Sequence, residues 1–305
     1  MQTSSLIFRF GRRRALGAAA LGLAGSAASV LTSVAAHAAE RGTVRDRLWL
    51  FAVPANSDFA TVQRRSLMTP AEGAFYLGVP NVILVQASAT EAKYGRFEPP
   101  FAQYAIGLGS LRRVVWPLVG SGGFTTPEER KEGIELTMRT PNFVGMMLDD
   151  FFTGQREGRR AALSLQELAD IRQQVRTSPK KLEIFVTLYV QHLDLPLEDY
   201  LKLVDVVTVW SWKAEELANL ETHLQKAQKL APHAKMMLGC YMVDFTKKKS
   251  MPIPAMQQQC EKGLAWLRQG RIEGMIFLSN TVMDVGYEAV DWTRDWIART
   301  GEARL

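Results

Sequence analysis

Two adjacent carboxylates, Asp149 and Asp150, end the apolar run Phe143-Val144-Gly145-Met146-Met147-Leu148 and are followed at once by Phe151 and Phe152. A carboxyl partly desolvated by phenyl rings and placed beside a second carboxylate titrates higher, while its neighbour can stay ionised. One site then supplies both a proton donor and an anion. The competing reading is a strand-ending pair that caps the next loop or pairs with Arg156 or Arg159. Asp244, which ends Tyr241-Met242-Val243-Asp244, is a candidate second carboxylate, acting as nucleophile or base. The Lys247-Lys248-Lys249 run beside it is an equally good bland partner.

Aromatic residues form a second signal. Tyr189, Trp210, Trp212 and Tyr241 close three successive apolar runs, and flat rings of this kind stack on the C–H faces of sugars. Strand alternation puts Val206, Thr208, Trp210 and Trp212 on one face. Trp210 could equally fill a core, and Trp212 is the better site candidate. Asn56, Gln86, Gln191, His192, Lys213 and Asn280 also stand at run ends. Their side chains suit hydrogen bonds to sugar hydroxyls, or to loop backbone.

These types argue against a catalytic metal: His192 is the one histidine at a run end, and the first run carries no H-x-H pair. No cofactor is expected either. Gly120-Ser121-Gly122-Gly123 has the look of a phosphate cradle, but it follows the third run, whereas phosphate-binding barrels use the loops after strands seven and eight. The sequence therefore predicts a flexible turn near the substrate.

The elements that must position these residues alternate eight times. Short apolar, β-branched or aromatic runs at 48–56, 81–86, 113–120, 143–150, 182–192, 204–212, 235–244 and 272–280 are separated by segments of helical period. This predicts a (β/α)8 TIM barrel, whose chemistry sits at the C-terminal ends of the strands. Every candidate above lies at such an end. Helices are marked over 125–139, with Thr126 as N-cap and Pro127 at the first position, and over 164–175, with a Ser164/Glu167 capping box. Further helices are expected over 214–230, 254–269 and 287–299.

With the barrel and the Asp149-Asp150 pair in view, the chain resembles the (β/α)8 glycoside hydrolases, and particularly the O-GlcNAcase-type N-acetylglucosaminidases with adjacent aspartates after strand four. The resemblance implies that Asp149 orients the 2-acetamido group of the substrate, which is itself the nucleophile, and that Asp150 is the general acid and base. Beyond this pair the family's active-site pattern is not matched residue by residue. The Glu-on-strand-four and Glu-on-strand-seven arrangement of many retaining barrels is absent. A two-aspartate mechanism through Asp244 and a non-catalytic carbohydrate-binding barrel remain as alternatives.

Residues 1–38 carry Arg9 and Arg12 to Arg14, an Ala/Gly/Leu stretch and an Ala36-His37-Ala38 site. They resemble a twin-arginine signal peptide, which implies a bacterial protein exported to the periplasm or beyond, with no membrane anchor after cleavage. Residues 39–305 then form one barrel domain. Its balance is 33 basic against 31 acidic residues, compared with 37 against 31 for the full chain. So near-neutral a surface lacks the electrostatic footprint of a nucleic-acid binder. The expected partner is a carbohydrate substrate, and the sequence fixes no oligomeric state. Cys240 and Cys260, on a strand and the following helix, are expected to be two buried thiols.

Overall fold

The computed structural model describes residues 42–57, 65–87, 95–152 and 160–305. Eight parallel strands close into a barrel: β1 (Leu48–Ala52), β2 (Asn81–Leu84), β3 (Arg113–Val119), β4 (Phe143–Leu148), β5 (Glu183–Tyr189), β6 (Val206–Trp210), β7 (Lys235–Tyr241) and β10 (Gly274–Leu278). Each pairs with its sequence neighbours, and β10 closes the ring on β1 through Leu48↔Met275 to Phe51↔Leu278. The (β/α)8 expectation is met. The predicted runs extend past the strands because the residues at the mouth stay apolar after they leave the ladder. The clearest case is 235–244. There Met242 turns out of β7 and its carbonyl accepts the Met251 N–H at 3.0 Å, so that β8 (Val243–Asp244) and β9 (Lys249–Ser250) form a separate antiparallel hairpin.

Between the strands lie α1 (Pro70–Leu77), α2 (Ala102–Gly107), α3 (Pro127–Arg139), α4 (Leu165–Arg176), α5 (Glu198–Leu201), α6 (Leu220–Leu230), α7 (Ile253–Arg268) and α8 (Glu288–Thr300). Thr126 caps α3 by accepting the Glu129 N–H, and Ser164 with Glu167 forms the expected box on α4. The segment 214–230 divides into a 3-10 stretch, Ala214–Asn219, and α6, with Leu217, Leu220 and Leu224 buried. Cys240 and Cys260 are both buried and free.

Ring contacts across the barrel identify the interior face of each strand. Trp49 on β1 meets Phe185 on β5 at 6.2 Å, and Phe51 meets Trp210 on β6 at 5.1 Å. Strands this far apart in the ring touch only through the barrel axis. By alternation, Thr187 and Tyr189 share the inward face of β5 with Phe185, Asp149 continues that of β4, and Tyr241 that of β7. Gly239 on β7 provides the space for Trp210: a Cβ there would stand 2.1 Å from the indole ring.

The N-terminal mouth is filled by charge. Arg113 lies 4.5 Å over the Trp49 ring and donates to Asn81 Oδ1 at 3.0 Å. Burial first, then the neighbouring Arg47 and Arg112, pushes its guanidinium down to about 10. On this same face the first and last described residues meet: Val44 N–H bonds Ala303 O at 2.9 Å, Arg45 N–H bonds Gly301 O at 2.8 Å, and Leu305 N–H bonds Gly42 O at 3.2 Å.

Candidate active site

The strand ends bring an acid pair, two tyrosines, a histidine and a tryptophan together at the opposite, C-terminal mouth. Asp149 follows β4 on the inward face, 5% exposed, and its Oδ1 accepts the Thr187 hydroxyl at 3.0 Å. Its carboxyl is held well above the usual carboxylate range, first by burial and then by the adjacent Asp150; the Thr187 hydroxyl and the Asp150 amide oppose the shift. Asp149 therefore carries a proton at pH values where a solvated aspartate has lost its own.

Asp150 is more accessible and has a left-handed backbone, φ +46°. A non-glycine residue pays on the order of 1 kcal/mol for that conformation. Its carboxylate is gripped from two sides. Oδ2 accepts the Gly122 N–H at 2.7 Å and the Ser121 hydroxyl at 3.4 Å, and Oδ1 accepts the Tyr189 hydroxyl.

The aromatic residues form an arc around the pair. Trp212, 37% exposed, stands edge-on to Tyr189 at 4.9 Å. Tyr241 meets Trp210 at 5.0 Å and Phe245 at 4.9 Å. Burial, followed by the charges of the acid pair, pushes both Tyr189 and Tyr241 well above the usual tyrosine range, so both hydroxyls remain protonated donors. His192 packs on Tyr189 at 5.5 Å and on Phe152 at 6.4 Å. Burial pulls its pKa below the usual histidine value against the opposing pull of Asp150, which leaves a neutral ring at pH 7.

Other sequence candidates stand elsewhere. Trp210, 1% exposed, lies beneath the mouth with its indole N–H on Thr208 Oγ1 at 2.9 Å, so it floors the site rather than lining it. Gln86 turns its amide outward to Glu129 at 3.3 Å. Asn280 is fully buried and acts as a latch: its amide bonds the Val53 N–H at 3.0 Å, the Val53 carbonyl at 2.9 Å and the Met68 carbonyl at 2.9 Å, tying the ends of β10 and β1 together. Asn56 (φ +61°), Gln191 and Lys213 are exposed on the rim.

Asp244 sits in the β8–β9 hairpin. Its Oδ1 accepts the Thr246 N–H at 3.0 Å, the Thr246 hydroxyl at 2.7 Å and the Lys247 N–H at 3.1 Å, and Lys247 Nζ lies 3.5 Å from Oδ2. Burial raises this carboxyl, but the Thr246 and Lys247 bonds outweigh it and hold the group below the usual range. The geometry is that of a turn cap.

The sequence missed Thr187, although it stands two residues before Tyr189 on one strand face and alternation alone aligns it with Asp149. It also missed the grip of Ser121 and Gly122 on Asp150. The turn expected to be flexible is braced instead: Ser121 N–H bonds Gln86 O at 2.8 Å, Gly120 N–H bonds Phe124 O at 2.8 Å, and Gly123 N–H bonds Gly120 O at 3.0 Å. Arg156 and Arg159, the ion-pair partners of the competing reading, lie outside the described residues.

No protein-family model matches the chain, and no curated protein sequence does. Solved structures do resemble it. A provisionally named alpha-L-fucosidase from Bacteroides thetaiotaomicron matches with a TM-score of 0.55 at 12% identity, over 84% of this chain and 94% of its own. The family GH18 chitinase of Cycas revoluta, solved with allosamidin, gives 0.51 at 12% identity, over 82% and 99%. YKL-39, solved with the chitooligosaccharide GlcNAc4, gives 0.50 at 12% identity, over 82% and 98%. At this identity the likeness is one of fold: the chain is a (β/α)8 barrel of the architecture these glycan-handling proteins share.

Proposed function

We propose that this protein is a glycoside hydrolase whose acid pair is Asp149 and Asp150. The observation that carries the reading is the pair's asymmetry: a buried, proton-holding Asp149 beside an accessible Asp150 that fixed donors aim, both beneath an aromatic arc at the barrel's C-terminal mouth. Similarity in fold to a chitinase and to a chitooligosaccharide-bound protein supports a carbohydrate substrate.

The mechanism that fits is substrate-assisted. Burial favours the protonated form of Asp149. A substrate acetamido N–H that bonds the Asp149 carboxylate moves this proton to Asp150. Asp150 then protonates the glycosidic oxygen as its bond to C1 breaks, while the acetamido carbonyl oxygen closes on C1. Water afterwards adds to C1 as the acetamido oxygen leaves it, and gives its proton to Asp150. Trp212 stacks on the sugar ring, and the Tyr241 hydroxyl donates into the site. The hairpin bonds of Asp244 speak against its use as the second carboxylate.

The test is hydrolysis across a panel of glycosides with and without 2-acetamido groups. Cleavage confined to acetamido sugars, reduced about 10²–10⁴-fold in Asp150→Asn and within about threefold of normal in Asp244→Asn, where the amide oxygen still caps the turn, is the expected result. Loss of turnover in Asp244→Asn, with cleavage of plain glycosides, would restore the two-aspartate scheme. Sugar binding without cleavage would leave a carbohydrate-binding barrel.

Export to the bacterial periplasm is part of the proposal and rests on Arg12-Arg13-Arg14 and Ala36-His37-Ala38. Replacing Arg12, Arg13 and Arg14 by Lys should leave the uncleaved precursor in the cytoplasm, as read by fractionation.

A further inference from the structure

We propose that the turn after β3, Ser121–Gly123, is the positioning element of Asp150: the Gly122 amide and the Ser121 hydroxyl on one carboxylate oxygen, opposed by the Tyr189 hydroxyl on the other, fix where that carboxyl points. Its consequence for turnover rests on the reading of Asp150 as proton donor; its geometry does not.

The turn is built for this purpose in three respects. Gly122 has φ +67°, and a Cβ there would meet nothing within 4 Å, so it is the backbone angle rather than space that selects glycine. That angle directs the Gly122 N–H at Asp150 Oδ2. The turn is also anchored away from the site, through Ser121 N–H on the Gln86 carbonyl at 2.8 Å. Gln86 is itself held by Glu129, whose other oxygen pairs with Arg96. Arg96 in turn donates to the Ala87 carbonyl at 3.2 Å and lies 4.5 Å over the Phe124 ring at the turn's far end. Finally, Asp150 is left-handed, a conformation that persists only where its surroundings over-determine it. Here the over-determination comes from β3 on one side and β5 on the other.

The Asp150 carboxyl is held by an amide and two hydroxyls. The groups that face it are Asp149 on its own segment, Tyr189 and His192 from the end of β5, and Tyr241 from β7. Withdrawing the Gly122 amide therefore lets the carboxyl turn while those four groups keep their places. Gln86, a sugar-binding candidate by sequence, becomes a positioning residue that acts through this turn.

Two variants separate positioning from bulk stability. Gly122→Val is sterically open but β-branched, which disfavours φ +67° and withdraws the amide. Gly122→Asn tolerates the left-handed region and keeps the amide in place. The readout is the Asp150 carboxyl ¹³C chemical shift and the amide shift of residue 122, recorded at one pH in the full chain with no substrate present. The expected result is that Gly122→Val displaces the Asp150 carboxyl signal and moves the residue-122 amide out of its hydrogen-bonded range, while Gly122→Asn leaves both at their wild-type positions. Wild-type positions in Gly122→Val, or equal displacements in both variants, would overturn the proposal. The measurement needs no turnover. If the signals move as expected in a protein that cleaves no glycoside, the clamp stands and the hydrolase reading falls; unmoved signals in an active hydrolase give the reverse.

Discussion

Burial and the adjacent Asp150 hold the Asp149 carboxyl above its ordinary range, and this has a thermodynamic signature. Its folded pKa lies above its unfolded value, near the ordinary ~3.9. Between those two values the native state binds more protons than the unfolded chain, so stability falls as pH rises through the window. Below about pH 4 both states are protonated and the effect vanishes. Asp149→Asn removes the titration while keeping an oxygen for the Thr187 hydroxyl. Urea unfolding at stepped pH should show the variant gaining on the wild type from about pH 4 toward neutrality. A constant difference across that range would mean that Asp149 is ionised in the folded protein.

At the scale of elements, the site depends on how large and small residues alternate around the barrel. Trp210 can floor the mouth only because β7 offers Gly239 opposite it. Gly239→Ala would force a methyl into a ring already held between Phe51 and Tyr241. The expected loss is about 2–3 kcal/mol in urea unfolding, with a change in near-ultraviolet circular dichroism from the displaced indole. The strands themselves were legible from sequence because burial on both faces makes near-continuous apolar runs. Their ends were not: the run through Met242 to Asp244 stays apolar while the chain turns out of the ladder into a hairpin. Three helices, α1, α2 and the four-residue α5, also escaped notice, although the Thr69/Glu72 box on α1 is a written start signal. Residue type and position at a strand end singled out Asp149, Asp150, Tyr189, His192, Trp212 and Tyr241, which the structure brings together at the C-terminal mouth. What those cues could not supply was direction. Gln86 and Asn280 also end strands, but one turns outward to Glu129 and the other latches β10 to β1.

The barrel domain is closed by a seam between its first and last described residues. Gly42, Val44 and Arg45 bond the segment Gly301 to Leu305, with Val44 fully buried and Arg45 paired with Glu302. A chain beginning at residue 39 keeps every one of these contacts. One beginning at residue 47 loses the seam and the buried Val44, and should be less stable by about 3 kcal/mol. Equal midpoints for the two shortened chains would show that the seam contributes nothing.

The same seam places Leu305 on the face opposite the mouth. A solid support, a fluorescent reporter or a second catalytic module joined to Leu305 departs from that far side. The barrel can therefore be grafted to a bead or displayed on a cell through Leu305, and a polymer too large to diffuse into a crowded surface would still find the aromatic mouth turned outward to meet it.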